Sequence, residues 1–138
     1  MDDRLARKAI MSVSEPGAVH ISRSISIHGS VETWNRILAG NFYELAPQTT
    51  ANALELDVGE IEKEWERSGA RFLIPGDADW PLSVDALAVP PIGLSVIGNL
   101  DLSMLSRSVA IVGSRIPTHY GVRIAQELAA ELTSRGFI

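Results

Sequence analysis

The stretch SVAIVGSR, residues 108–115, decides the fold of this chain. Its four apolar residues run without alternation into a glycine, which is typical of a strand buried on both faces. A helical pattern follows over residues 122–135, Gly136 ends it, and residues 137–138 have the composition of a further strand. Strand, glycine turn, helix and strand in this order predict the opening unit of a parallel α/β sheet.

The composition is that of a globular protein with a packed core. The 138 residues are 46% apolar and 21% charged, with a formal net charge of −5 and no cysteine. The lack of cysteine excludes disulfides and thiolate metal sites and fits a reducing compartment. No apolar run approaches the ~20 residues that a membrane-spanning helix needs, and the N-terminal sequence MDDR is unlike a secretory signal. We therefore expect a cytoplasmic protein without a membrane partner.

Residues 1–69 have the spacing of a bundle of short helices. Apolar residues recur every three or four positions, and glycines or prolines interrupt the pattern. Residues 18–28 fit both a strand alternation and a helix face, and their helical neighbours favour a helix. Ser30 is the expected N-cap of the next helix, and Asp57 with Glu60 resembles a capping box that would divide the last helical stretch. We therefore predict a first domain of four or five short helices.

Residues 70–138 have the pattern of strands and turns. Strand candidates at residues 70–74 and 92–97 precede the one at 109–112, and turn or proline sequences separate them. The change of pattern predicts a boundary between a helical domain at residues 1–69 and an α/β domain that follows it. No low-complexity linker lies at the boundary, so a tight junction is expected.

The turn after the strand at 109–112 is a candidate anion site. A strand that leads into a helix N-terminus, here with Thr118 as the expected N-cap, presents unpaired N–H groups and a partial positive charge. Gly113 permits close approach to the backbone, Ser114 adds a hydroxyl, and Arg115 adds a charged fork for phosphate oxygens. Neither glycine-rich nucleotide-binding fingerprint is present. An anion site and a plain turn with Arg115 in solvent are equally open readings.

Other residues that could carry chemistry have simpler structural explanations. Asp77 and Asp79 could form a catalytic carboxylate pair, but the prolines and glycine around them favour a turn. Trp80 could stack on a base, although a tryptophan in such a loop is more often buried by packing. The three histidines lack the spacing of a metal site. The residues therefore predict no catalytic centre, metal site or cofactor.

Residues 107–121, RSVAIVGSRIPTHYG, closely resemble the opening motif of the DNA-processing protein A (DprA, also Smf) family. The resemblance extends over nearly the whole chain. Three further stretches agree with it: IPGDADWP at 74–81, PPIGL at 90–94 and SEPG at 14–17. The last of these, with VETW and LAG in the helical region, is similar to the N-terminal part of actinobacterial members.

The resemblance implies a SAM-like helical domain followed by an extended Rossmann-like domain. Members of the family bind and protect single-stranded DNA and help to load the RecA recombinase during natural transformation; they form homodimers and are not known as enzymes. In them the arginine of the G-S-R motif belongs to a positively charged pocket that holds the DNA backbone. The implied DNA phosphate-binding positions here are Arg115, its frame Gly113 and Ser114, and the supporting Thr118, Tyr120 and Gly121.

The sequence departs from the family pattern after residue 138. The later motifs, resembling S-G-x-A-x-G-I-D-x-x-A-H and F-x-x-R-N-R, are absent, as is the sheet region associated with dimerisation and RecA contact. We therefore expect an N-terminal, truncated portion of such a protein. Two alternatives are a nucleotide-binding enzyme related to lonely-guy phosphoribohydrolases, which would need a P-G-G-x-G-T loop that is absent here, and a module whose acidic residues 1–69 recruit a protein partner.

Overall fold

The computed structural model describes residues 1–42, 46–99 and 101–138, and for residues 103 and 104 the backbone alone. The chain forms two compact units, the N-terminal unit at residues 1–100 and the C-terminal unit at residues 101–138. The N-terminal unit begins with five helices: α1 Asp3–Val13, α2 Val19–His28, α3 Ser30–Leu38, α4 Pro47–Glu55 and α5 Val58–Ser68. The predicted helical character of this region is confirmed, including that of the ambiguous segment 18–28.

The helices form because each places an apolar stripe on a common core. α1 buries Ala6, Ala9 and Ile10 completely, and α3 buries Trp34 and Ile37, at the three- and four-residue spacings of a helix face. The remaining buried members of this core are Ile21, Ile25, Phe42, Ala53 and Ile61. The bundle is therefore held mainly by apolar packing between α1, α3 and their neighbours.

The helix starts show one difference from the sequence prediction. Asp57 caps α5 by accepting hydrogen bonds from the backbone N–H groups of Gly59 and Glu60, so the predicted break at this residue is confirmed. Ser30, however, is not the N-cap of α3, because Gly29 occupies that position with a φ of 82°. The Ser30 hydroxyl instead donates to the Asp3 carboxylate at 2.5 Å. Its side chain thus joins α3 to α1.

A two-stranded antiparallel sheet completes the N-terminal unit. β1, Arg71–Leu73, pairs with β2, Leu94–Val96, with Phe72 opposite Ser95. Both strands lie inside the predicted stretches and are shorter than these. The Trp65 ring of α5 packs edge-on against Phe72, with 4.9 Å between the ring centroids. The sheet is therefore packed directly against the helical bundle.

Two arginines of α1 fasten the sheet to the bundle. Arg4 donates to both carboxylate oxygens of Asp77, at 2.8 and 2.9 Å, and to the Phe72 carbonyl. Arg7 donates to the Ile92 carbonyl at 2.7 Å, just before β2. Bidentate arginine–carboxylate pairs are directional as well as charged. Helix α1 therefore fixes both the turn after β1 and the approach to β2.

Acid is expected to weaken this attachment. The Arg4 guanidinium, and after it the Ile74 N–H, lower the pKa of Asp77 from its ordinary 3.8 to about 2. A carboxyl with a lowered pKa in the folded state contributes stability that is complete above about pH 4 and is lost as the pH falls through 2. We expect the unfolding free energy to fall by about 1–2 kcal/mol from this group, after allowance for solvent screening. Urea titrations between pH 5 and 2 would measure it, and Asp77→Asn should show a shallower acid decline than the unaltered protein.

The C-terminal unit contains a short 3₁₀ helix, Leu102–Arg107, and the long helix α6, His119–Ser134. The Thr118 hydroxyl caps α6 by accepting from the Gly121 N–H at 3.1 Å, as predicted. The predicted strand at 109–112 is not formed in the described chain. A strand needs a hydrogen-bonded neighbour along its length, and among the described residues only one end of this segment has one.

That single pairing has the hydrogen-bond pattern of parallel strands. The Ile138 N–H donates to the Arg107 carbonyl at 3.0 Å, and the Val109 N–H donates to the Ile138 carbonyl at 2.9 Å. One residue thus bridges two partners that lie two positions apart, as in a parallel ladder. The expected parallel sheet is nevertheless not formed among the described residues, where the sheet consists of the antiparallel pair β1 and β2.

The apolar face of α6 lies open. Val122 and Leu128 of this face are 41% and 47% exposed, and Val112 in the preceding segment is 89% exposed. Burial of such side chains is the main stabilising term in folding, and the described residues of this unit do not provide it. Throughout the described ranges, no helix is both long enough and apolar enough to cross a bilayer.

Candidate functional site

The predicted turn and the start of α6 line one open groove. Gly113 and Ser114 of the turn line it, as do Thr118 and Gly121 at the start of the helix. The Ser114 hydroxyl donates to the Ile116 carbonyl at 3.1 Å and accepts from the Ile116 N–H at 3.2 Å. Ser114 therefore shapes the turn through its own backbone, which is a role that the sequence did not indicate.

Most of the groove is apolar. Its wall consists of aliphatic side chains from the turn and from the open face of α6, and its other lining residues are Ile111, Val112, Ile116, Pro117, Val122, Ala125, Gln126 and Ala129. A phosphate gains little from such a wall, because it would lose hydration without finding donors. The groove interior is thus a surface for apolar packing, and charge lies only at its rim.

The rim is the N-terminus of α6. The Thr118 side chain satisfies the Gly121 N–H, and the first turn of the helix carries no acidic residue. The amide groups of the first turn point out of the helix with a partial positive charge. A phosphate at this rim would meet a favourable potential with no carboxylate nearby in the sequence to oppose it.

Arg115 carries a charge that no described residue of the C-terminal unit offsets. Arg123 pairs with Glu127 at 3.7 Å and Arg135 pairs with Glu131, each one helical turn away. Arg115 is exposed, and it has no hydrogen bond or ion pair with any residue that the structure describes. Its guanidinium is therefore available to an external anion.

Tyr120 is exposed beside that rim. The residue is 65% exposed, and the guanidinium of Arg123 lies 5.6 Å from the centre of its ring. Of the six sequence-predicted positions, four therefore line the groove, while Arg115 and Tyr120 lie outside its wall. The contact with Arg123 was missed, although the spacing of three residues on a predicted helix could have indicated it.

The weaker candidates have the structural roles expected of them. Asp77 accepts from the Ile74 N–H at 2.9 Å and closes the turn after β1. Asp79 pairs with Arg71, and the buried Trp80 donates its indole N–H to Asp85 at 2.9 Å. Over the described ranges, no three acidic or histidine side chains come together as metal ligands would.

Comparison with known proteins shows which family this chain resembles. Residues 71–138 match the sequence profile of DNA recombination-mediator protein A. This chain belongs to the DprA/Smf family. The DprA/Smf match begins at β1 and includes the whole candidate site.

Curated relatives carry the same family names. A protein of Mycobacterium tuberculosis named as a DNA processing protein DprA is 30% identical over 136 residues, which is 89% of this chain and 35% of the relative. Protein Smf of Synechocystis is 32% identical over 78 residues, 54% of this chain and 20% of the relative. The chain thus spans about a third or less of the curated relatives that it matches. No solved structure matches it significantly.

Proposed function

We propose that this DprA/Smf-family chain binds single-stranded DNA by contacting the phosphates of the DNA backbone. It acts as a binding protein and not as a catalyst. The observation that carries the proposal is the exposed Arg115, which pairs with none of the described residues and precedes a helix whose first turn has no acidic residue. A guanidinium and a row of backbone N–H groups are the donors that hold phosphates. In this proposal Arg115 and the start of α6 contact phosphates, while Gly113, Ser114, Thr118 and Gly121 keep the turn in shape.

We also propose that residues 70–138 begin a Rossmann-like sheet, after a SAM-like helical domain at residues 1–69. The family match starts at residue 71, next to the proposed boundary. The parallel pattern of hydrogen bonds between residues 107–109 and Ile138 supports a parallel sheet. The open apolar groove supports it as well, because a helix of such a sheet packs this kind of face against strands. DNA would then run along the rim and not in the groove.

The wider role is proposed on the family description alone. A recombination mediator acts on DNA together with the recombination machinery, so we propose RecA as a protein partner, a homodimer as the working assembly and DNA uptake by natural transformation as the process, all in the cytoplasm. These proposals concern the whole protein of the family. The charge and geometry at Arg115 bear only on contact with DNA.

The test is the salt dependence of binding in Arg115→Ala. Loss of one phosphate contact should weaken binding to an oligothymidylate about three- to tenfold at low salt and reduce the slope of log K against log salt by about 0.7. Fluorescence anisotropy at several salt concentrations measures both quantities. The control is Arg67→Ala, which removes an equal charge from an exposed position in α5 that is paired with Glu60. An unchanged slope in Arg115→Ala, or an equal change in the control, would contradict the proposal.

A further inference from the structure

Tyr120 is exposed for a different reason from the apolar residues of α6. Successive residues of a helix are about 100° apart, so Tyr120, Arg123 and Glu127 share one face. The groove residues Val122 and Ala129 lie on the opposite side of the helix. The Tyr120 face is charged, with the Arg123–Glu127 ion pair along it. A partner that filled the groove would therefore cover Val122 and leave Tyr120 in water.

The ring has one open face. Arg123 lies over the ring at 5.6 Å from its centre, and a single guanidinium covers only one side. Among the described residues no other ring or cation is in contact with it. With 65% of the residue exposed, the second side is available to a planar group. The ring electrons attract the Arg123 guanidinium, which favours this arrangement of the two side chains.

The position of Tyr120 places this open ring beside the proposed phosphate contacts. Side chains in a helix tilt toward its N-terminus, and Tyr120 lies in the first turn of α6. Tyr120 is five positions after Arg115 in the sequence, so the two Cα atoms are at most about 18 Å apart. A strand of a few nucleotides that passes over the rim can reach both residues.

We propose that Tyr120, held by Arg123, is a stacking platform for one nucleobase of the bound strand. The inference rests on the proposed function and deepens it. It makes the site one for a base-bearing single strand and not for any polyanion. Aromatic rings stack on bases of every type, so the platform would contribute affinity without sequence preference.

The experiment compares two labelled oligonucleotides of equal length, oligothymidylate and an abasic deoxyribose-phosphate strand. Both bind through phosphates, and only the first can stack. We expect Tyr120→Leu to weaken binding of oligothymidylate about tenfold, with no change in salt slope and no change for the abasic strand. Tyr120→Phe keeps the ring and should bind both strands as the unaltered chain does. Circular dichroism of each variant checks that α6 is intact.

The outcomes separate the two proposals. Equal losses on both strands, or a loss in Tyr120→Phe as large as in Tyr120→Leu, would overturn the platform and leave the backbone contacts in place. If oligothymidylate and the abasic strand both fail to bind the unaltered chain at any salt concentration, the proposed function falls and the platform falls with it. Preference of the unaltered chain for oligothymidylate, abolished by Tyr120→Leu alone, establishes the platform.

Discussion

Gly93→Ala is expected to lower the unfolding free energy of the N-terminal unit by about 3 kcal/mol or more. A Cβ atom at this position would lie 2.3 Å from the tip of the Phe72 ring and within 3.1 Å of both neighbouring ring atoms. Phe72 is 6% exposed and is held by Trp65 on one side, so the ring has no space into which to move. The clash therefore has to be relieved by displacing β1 from β2. Urea denaturation followed by tryptophan fluorescence would measure the loss.

Two further variants test this explanation. Gly113→Ala is the control, because a Cβ atom there meets nothing within 4 Å, and its effect on stability should be within about 0.5 kcal/mol. In the background of Gly93→Ala, Phe72→Leu removes the ring edge and should recover part of the loss, which a double-mutant cycle would report as coupling. A Gly93→Ala protein as stable as the control would show that Phe72 does not confine this position.

Asp77→Ala is expected to lower the unfolding free energy of the same unit by about 2 kcal/mol. It removes both carboxylate oxygens that accept from Arg4, one of which also accepts from the Ile74 N–H. The side chain of Arg4 is 40% exposed, so its guanidinium can recover hydration and the loss stays below that of a fully buried pair. Thermal and urea unfolding monitored at the tryptophans would give the value.

The matched control for Asp77→Ala is Asp79→Ala. The two carboxylates lie two residues apart and each pairs with an arginine, but the Asp79–Arg71 pair is exposed on both sides, at 56% and 43% of the side chains. An exposed pair contributes about 0–1 kcal/mol. Equal losses in the two variants would mean that the contact with α1 adds nothing beyond an ordinary surface ion pair.

The helical part of the fold could be predicted from the sequence, because local patterns determine it. The spacing of Ile10, Trp34 and Ile37 with their neighbours shows which faces are buried, and Asp57 shows where a helix starts. The N-cap prediction at Ser30 was wrong because a distant residue, Asp3, competes for its hydroxyl. Local rules do not include such partners.

The contacts that join the sheet to the bundle could not be predicted in this way. Arg4 and Asp77 are 73 residues apart, and neither pattern around them indicates the other. The same holds for Gly93, which lies in a predicted strand and whose lack of a side chain is required by the distant Phe72. The apolar run and the glycine turn at 109–113 predicted a strand. A strand also needs hydrogen-bonded partners, and the described residues supply one only at Val109.

The sequence predicts which positions belong to the candidate site, but it does not predict how their side chains are arranged in space. The sequence indicated Arg115 and the capping Thr118. In the structure Thr118 is the cap, and Arg115 pairs with none of the described residues. The sequence could not show that the Ser114 hydroxyl is hydrogen-bonded within its own turn, or that the groove wall is apolar. These depend on where the segment 111–118 lies against α6.

One series of polar contacts in the N-terminal unit determines where this protein can be divided and joined to a segment of a relative. The Ser30 hydroxyl donates to Asp3, Asp3 accepts from Arg7, and Arg7 donates to the Ile92 carbonyl. The series crosses residue 71, where the family match begins. The family match and the region that these contacts hold together therefore have different borders in this chain. An exchange of helical regions between relatives at residue 70 would separate α1 from the partners of its arginines, whereas an exchange near residue 100 would carry them along.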